Sequence, residues 1–426
     1  MKIYLDTIGC RLNQAEIEKF AVQFRTAGHD LVGTAAEADL VIVNTCAVTA
    51  EAGSDSRQCI RQAARAGKAE IIATGCLSTL EGGALLQLPG VIGNVPNSEK
   101  DSLVENLLKT RRLPLNMPLV DRQPIPGRRE RTRAFIKAQD GCNNHCTFCV
   151  TRLVRGKARS IPESEILTDI ASAMEGGVKE IILSGVQLGA WGSDFLPPKK
   201  LADLVQVILK QTSIPRIRLS SVEPWDLDDS FFRLWENPRM CRQLHLPLQS
   251  GSNKILKGMG RKYNSGEYEG LVVKARSICP AIAITTDILV GFPDEDERDH
   301  HETVDLIKRI GFATGHVFPF SPRPGTGAEK LPNQIPTAVK KDRSREVREL
   351  FSQLIAKYHQ QFLGEEKQVL WEQSEFQEDG KFLLEGWTDN YIKVITTFRI
   401  DLHNEISSVK LVESRNEKMY GEISEK

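Results

Sequence analysis

The sequence predicts an α/β protein in three parts. These are an open parallel α/β sheet over residues 1–115, a partial or complete parallel (β/α) barrel over 128–360 and a small β-barrel over 361–426. Three observations carry this. Strand and helix periodicities alternate at the start, resume with a longer repeat from Ala134 to Phe320, and then give way to short β-like runs. A length of 426 residues suits about three domains.

In the first part, Ile3 to Leu5 is a short strand ending at Gly9-Cys10. Ile17, Phe20, Ala21 and Phe24 fall on one helix face, which Gly28 stops. Leu40 to Val43 is a continuous apolar run, as in a strand covered on both faces, and it leads to Cys46. Glu70 to Thr74 leads to Cys76 in the same way. Three strands thus each deliver a cysteine at the carboxyl end, where an open parallel sheet forms its ligand crevice. Four prolines (114, 118, 124 and 126) then mark a linker that runs into the basic segment from Gly127 to Arg133.

The expected strands of the second part are Phe135–Gln139, Glu180–Ser184, Arg216–Ser220, Gln243–Leu246, Ile282–Val290 and His316–Phe320. Ser160-Ile161-Pro162-Glu163 reads as a capping box, with Gly176-Gly177 ending the helix that follows. Barrel sites lie at carboxyl strand ends, and Cys142 follows the first strand on that side. Thr337 to Phe362 reads as a charged amphipathic helix. Beyond it, Val369–Trp371, Phe382–Leu384, Tyr391–Thr397 and Val409–Val412 are the short strands of a small barrel.

Lys+Arg and Asp+Glu both total 56, so the chain does not coat nucleic acid by bulk charge. No window reaches the ~18 apolar residues of a membrane span. Asp6 comes too early for a signal-peptide core, and a cytoplasmic protein with no membrane partner is expected.

Nine cysteines in a reducing compartment point to metal or reactivity rather than disulfides. Cys142-x-x-x-Cys146-x-x-Cys149 is the sharpest motif. Three thiolates on so short a loop suit three irons of a cubane cluster, leaving the fourth open to a substrate or cofactor with an amino and a carboxylate group. The alternatives are three buried thiols on a loop, or a zinc knuckle lacking a fourth ligand, with His145 as a poor candidate because it adjoins Cys146. Cys59, Cys241 and Cys279 read as small buried hydrophobes.

These features lie within longer blocks. They include Thr7-Ile8-Gly9-Cys10-Arg11-Leu12-Asn13-Gln14, Asn44-Thr45-Cys46-Ala47-Val48-Thr49, Thr74-Gly75-Cys76 and Gly141 to Cys149. Arg155 to Ser160, His245 to Ser252 and His316 to Thr326 complete them. With these blocks in this order, the sequence resembles the radical S-adenosylmethionine (SAM) enzymes and, within them, the methylthiotransferases. The resemblance implies a radical SAM barrel at the centre and a TRAM-like barrel at the C-terminus. It also implies two 4Fe-4S clusters, on Cys142, Cys146 and Cys149 and on Cys10, Cys46 and Cys76. The first would cleave SAM to a 5′-deoxyadenosyl radical, and the second would hold the sulfur to be inserted. Ser184, Gly185, Glu223, His245, Gln249 and Asp287 lie at expected strand ends and are candidates for SAM or substrate, against plainer readings as turn residues or caps.

Asp294 stands where the family has Gly, at a position suited to positive φ, and Val150-Thr151-Arg152 lacks the family's proline. The family's tail binds RNA, yet residues 361–426 carry 14 acidic against 8 basic side chains. Phosphate contacts are therefore expected from Arg128, Arg129, Arg131, Arg133, Arg155 and Arg159, with Trp387, Tyr391 and Lys393 as a face for unpaired bases. The implied partners are the tRNA anticodon loop, an electron donor of flavodoxin or ferredoxin type, and a sulfur donor. Asn44 to Thr49, Arg218 to Pro224 and Gly386 to Val394 resemble members acting on N6-threonylcarbamoyladenosine at tRNA position 37 more than those acting on isopentenyladenosine. Its carboxylate and hydroxyl call for a cation, with Arg152, Arg155 and Arg323 as candidates. The rival substrates are isopentenyladenosine and a ribosomal-protein aspartate, and a metal-bound, non-catalytic RNA-binding protein is the rival of another class.

Overall fold

Residues 1–108, 125–126 and 132–423 are described by a computed structural model. The first sheet holds β1 (Lys2–Thr7), β2 (Asp30–Leu31), β3 (Leu40–Thr45), β4 (Glu70–Gly75) and β5 (Val91–Pro96), all parallel, in the order β2-β1-β3-β4-β5. Its helices are α1 (Arg11–Thr26), α2 (Ala50–Ala66), α3 (Cys76–Leu85) and α4 (Leu103–Leu108). Every residue of β3 is buried, as expected of an apolar run between two helix layers.

The central strands are β6 (Arg133–Lys137), the short antiparallel pair β7 (Gln139–Asp140) and β8 (Arg159–Ser160), then β9 (Glu180–Ser184), β10 (Arg216–Leu219), β11 (Gln243–His245), β12 (Ala283–Val290) and β13 (Thr314–Pro319). Around them lie α5 (Thr151–Arg155), α6 (Glu163–Glu175), α7 (Leu201–Gln211), α8 (Asp229–Phe232), α9 (Asn253–Gly258), α10 (Ser265–Ile278) and α11 (Glu297–Ile310). Two parallel sheets, β6-β9-β10 and β11-β12-β13, meet through single bridges between the β10 and β11 segments, giving a six-stranded partial barrel. The expected capping box at Ser160 does not form. Ser160 pairs with Gln139 instead, and its Oγ accepts from the Gly192 N–H at 2.7 Å, so α6 starts after Pro162. Asp294 takes φ 68°, the left-handed conformation its glycine-like position requires.

Period-two alternation gives the central strands two unlike faces. Ala134, Ile136, Ile181, Leu183, Ile217, Leu219 and Leu244 pack outward into the main core. Arg133, Lys137, Glu180, Ser184, Arg216, Arg218, Gln243 and His245 therefore line the lumen. At its lower end, where the strands begin, Arg218 and Glu180 are both fully buried and bonded at 2.7 and 3.2 Å.

A long helix, α12 (Thr337–Gln360), packs Val347 and Phe351 on the core and carries the chain into a closed barrel. This barrel holds β14 (Glu366–Phe376), β15 (Phe382–Thr388), β16 (Lys393–Phe398), β17 (Ile406–Arg415) and β18 (Lys418–Ile423), in the order β14-β15-β16-β18-β17. β18 is an addition to the sequence-based expectation. Its run lacks clear alternation, and the turn before it depends on Asn416 and Glu417 both at positive φ. The small barrel closes the lower end of the lumen. Arg218 donates to the carbonyls of Thr388 and Asp389, and Arg216 to those of Trp387 and Gln368. Among the described residues, no helix is long and apolar enough to cross a membrane.

Burial pushes the Glu180 carboxyl up, but Arg218, with Arg133 and Arg216, outweighs it and holds the group at about 2. Its stabilising contribution is therefore complete above the ordinary value of 4.5 and lost as pH falls toward 2. Glu180→Gln, which leaves Arg218 uncompensated, is expected to cost about 3–5 kcal/mol at neutral pH. Denaturant titrations should show the gap between wild type and variant shrinking over that acid range. A gap independent of pH would exclude this role for the pair.

Candidate active site: two cysteine triplets

Cys10 caps α1, Cys46 follows β3 and Cys76 opens α3, so the three first-sheet cysteines stand at carboxyl strand ends. Gly9 makes the approach possible. At φ 107°, a Cβ there would lie 2.6 Å from the Cys46 Cβ and 2.8 Å from its Sγ. Burial raises the Cys10 thiol, and burial pushes Cys46 up to about 11. In both, a neighbouring thiol adds to the effect while Arg155 works against it.

Behind this triplet lies a buried polar cluster. Asn13 donates to the carbonyls of Ile8 and Thr45 at 2.8 and 3.0 Å, which joins two cysteine-bearing turns. Arg155 bonds Asn13, Glu16 and Asp140 at 2.7, 3.0 and 2.9 Å. Lys100 and Lys137 reach Glu16 at 2.7 and 3.1 Å. Asn97 donates to the Val154 carbonyl and lies 3.6 Å from the Cys76 sulfur.

The second triplet occupies the loop between β7 and α5. Gly141, at φ 68°, passes so close to the Lys157 carbonyl that a Cβ would fall 2.0 Å from its oxygen. The loop is tied down where the Cys142 N–H donates to Gly156 and the Thr147 N–H to Met259. Cys142 Sγ lies 3.4 Å from Gln187 Oε1, and Arg261 Nη1 lies 3.6 Å from Cys146 Sγ. Burial pushes the Cys146 thiol up to about 11 in spite of Arg261, and burial raises Cys142 too.

The donor set fits iron–sulfur clusters. Each triplet offers three thiols, and ligation must release their protons, so the charge of bound iron favours the thiolate form. His145 does not complete a zinc set, because its Nδ1 lies 2.6 Å from Arg152 Nη1. Among the described residues, no three His, Cys, Asp or Glu side chains form a site for a single metal ion. The second triplet's loop and the strands and turns near it also keep polar capacity for a ligand. Asn144 Nδ2, Ser220 Oγ, Trp225 Nε1 and Gln243 Oε1 are buried with no hydrogen-bond partner among the described residues.

The other sequence candidates divide. Glu223 sits beside the second triplet, paired with Arg261 at 2.5 Å. His245 and Asp287 pair at 3.3 Å in another part of the lumen, beside His316. Gln249 takes φ 69° and bonds its backbone to Asp287 and Leu289. Ser184 spends its hydroxyl on the Ile182 carbonyl, and Gly185 turns closely against Gln139. Sequence reasoning missed Arg261, held between Trp225 and Tyr263, and Asp226, which burial raises to about 6 beside Gln187. The local sequence around these two carries no periodic or metal-ligand signal.

The expected phosphate-binding arginines need correction. Arg128, Arg129 and Arg131 lie outside the described residues. Arg155 is buried and its guanidinium is consumed by Glu16, Asp140 and Asn13. Arg133 is taken by Glu372 at 2.5 and 3.0 Å, whereas Arg159 is exposed, with Asp101 as its partner. The expected base-stacking face is also occupied. Trp387 stacks on Tyr391 at 4.7 Å, Arg133 and Arg218 lie over their rings, and Lys393 pairs with Glu385.

The model of "Uncharacterized protein family UPF0004" matches residues 2–95, and that of the Radical SAM superfamily matches residues 136–307. The threonylcarbamoyladenosine tRNA methylthiotransferase MtaB of Thermotoga maritima is 36% identical over 410 residues, which are 92% of this chain and 90% of that one. Its namesake in Bacillus subtilis is 32% identical, over 96% and 93%. A tRNA-2-methylthio-N(6)-dimethylallyladenosine synthase of Caldicellulosiruptor saccharolyticus is 33% identical, over 99% and 92%. Among solved structures, the radical S-adenosylmethionine methyltransferase TsrM from Kitasatospora setae shares the fold, with a TM-score of 0.56 and 16% identity, over 74% of this chain and 72% of that one.

Different effects are expected from two arginines four residues apart. Arg155→Gln should lower the unfolding temperature, because it strips a cation from buried Glu16 and Asp140. Arg159→Gln should leave that temperature unchanged and lower the salt dependence of RNA binding by about one counterion. Calorimetry and binding titrations at several salt concentrations check both, and equal effects on stability would contradict the assignment.

Proposed function

Because the chain belongs to the radical SAM methylthiotransferase family, we propose that it methylthiolates C2 of N6-threonylcarbamoyladenosine at position 37 of tRNA. The observation that carries this reading is the likeness to threonylcarbamoyladenosine tRNA methylthiotransferases over nine-tenths of both chains. Two cysteine triplets joined through one buried polar cluster support it.

The radical SAM family implies a 4Fe-4S cluster and SAM. In this reading, Cys142, Cys146 and Cys149 would hold a cluster that, with SAM, would supply the radical chemistry for removing hydrogen, and Cys10, Cys46 and Cys76 would hold one that would supply the sulfur. Arg261 and Glu223 fix the charge beside Cys146, and Gln187 sets the position of the Cys142 sulfur. Arg155 and Asp140 hold the two triplets in register. The small barrel keeps water from the lower end of the lumen, which protects a reactive intermediate. His245, Gln249 and Asp287 border the space left for the nucleoside and SAM. An electron donor of flavodoxin or ferredoxin type, a cytoplasmic location, and phosphate contacts from Arg128, Arg129, Arg131 and Arg159 complete the proposal.

Nucleosides from a strain lacking its own methylthiotransferases, complemented with this gene, should contain 2-methylthio-N6-threonylcarbamoyladenosine by mass spectrometry. The isopentenyl product alone would overturn the substrate. Replacing Cys142, Cys146 and Cys149 by Ala should halve the iron and abolish SAM cleavage. Replacing Cys10, Cys46 and Cys76 should also halve the iron but leave uncoupled cleavage to 5′-deoxyadenosine. Wild-type protein that takes up only about four irons would refute the two-cluster arrangement.

A further inference from the structure

We propose that Arg11 receives the carboxylate of the N6-threonylcarbamoyl group and thereby selects the adenosine this enzyme accepts, an inference that rests on the substrate reading above.

Arg11 directly follows Cys10 and opens α1, yet its guanidinium reaches the base of the lumen, where Nη2 lies 3.4 Å from the Tyr391 hydroxyl. It thus runs from the sulfur-bearing triplet to the small barrel. Its charge is felt at Asp287 and His316 across the lumen, but Asp287 is already paired with His245.

The other arginines at this place are committed. Arg218 is bonded to Glu180 and to two carbonyls, and Arg133 to Glu372. Arg11 has no carboxylate partner among the described residues, and its guanidinium meets the Tyr391 hydroxyl there. A cation held among cations and beside a hydroxyl is a ready site for a carboxylate that carries its own hydroxyl. An isopentenyl group offers neither.

Tyr391 strengthens the case. It is a bulky side chain held at φ 64°, a conformation that persists only where its surroundings enforce it. Buried Asn390 bonds Thr388 at 2.7 Å and Tyr358 at 3.1 Å, the Thr388 hydroxyl takes the Ile392 N–H, and Trp387 stacks beneath the ring. These bonds fix the phenol where it meets Arg11.

The three cations expected from the sequence fit less well. Arg155 is consumed by Glu16 and Asp140, and Arg152 is engaged with His145. Arg323 is buried with Nε unpartnered among the described residues, but its segment docks on the second triplet's loop, through the Ala328 N–H and the Thr147 carbonyl.

The test measures binding of the iron-loaded full chain to anticodon stem-loops that differ only at position 37. These carry threonylcarbamoyladenosine, isopentenyladenosine or plain adenosine. Wild type is expected to favour the first, and Arg11→Met to lose roughly ten- to a hundred-fold of that preference while binding the plain loop within about twofold. Arg11→Lys should recover part of it, and unchanged iron content in both variants reports an intact fold. Equal loss on all three RNAs would make Arg11 a phosphate contact and overturn the proposal. So would selectivity that survives in Arg11→Met and disappears in Arg323→Met. A wild-type protein without preference would overturn the substrate reading itself.

Discussion

A carboxylate taken out of water needs compensating charge, and Glu16 finds it in three cations from three separate segments. Lys100 comes from the end of the first sheet, Lys137 from the first barrel strand and Arg155 from the helix after the cluster loop. These attractions outweigh burial and hold the Glu16 carboxyl well below its ordinary range. Glu16 lies on the helix that Cys10 caps, and Asp140, which shares Arg155, lies two residues before Cys142. The spacing of the two triplets is therefore set by one buried electrostatic cluster. Removing a single partner strands charge in the interior, so this part of the molecule has little freedom to drift.

The second constraint is the unlike character of the two faces of the barrel strands. The outer face is aliphatic and carries the main hydrophobic core. The inner face is mostly polar, with a fully buried Arg218–Glu180 pair below and Arg261–Glu223 beside the second triplet. Such pairs contribute modest net stability, but they hold positions tightly because any displacement leaves charge unpaired. A lumen of this kind suits radical chemistry on a polar nucleoside, which requires fixed groups and excluded water.

The small barrel explains how an acidic tail is useful to an enzyme that acts on RNA. Its carbonyls and Asp389 accept from Arg216, Arg218 and Arg242 of the central barrel. Negative charge thus serves as adhesive for a basic core. Trp387 and Tyr391 face inward against Arg133 and Arg218, so the stretch that the sequence marked as a surface for bases forms the floor of the lumen. The lower limit of the substrate space is set by a segment some 250 residues beyond Cys142.

What the sequence determined by itself was local or periodic. The apolar run from Leu40 to Val43, the six central strands, the glycine-like requirement at Asp294 and the three cysteines of one loop each leave a mark within a few residues, because backbone geometry and side-chain alternation act at that range. The first triplet was legible only through the rule that parallel strands end together at one edge. Tertiary structure alone decided the fate of the charges. Arg155 and Arg159 look alike in sequence, yet one is buried among carboxylates and the other is exposed; Arg261, Asp226 and Arg11 had no local signal at all. A charge takes its role from partners a hundred or more residues away, and that distance is bridged only when the chain has folded.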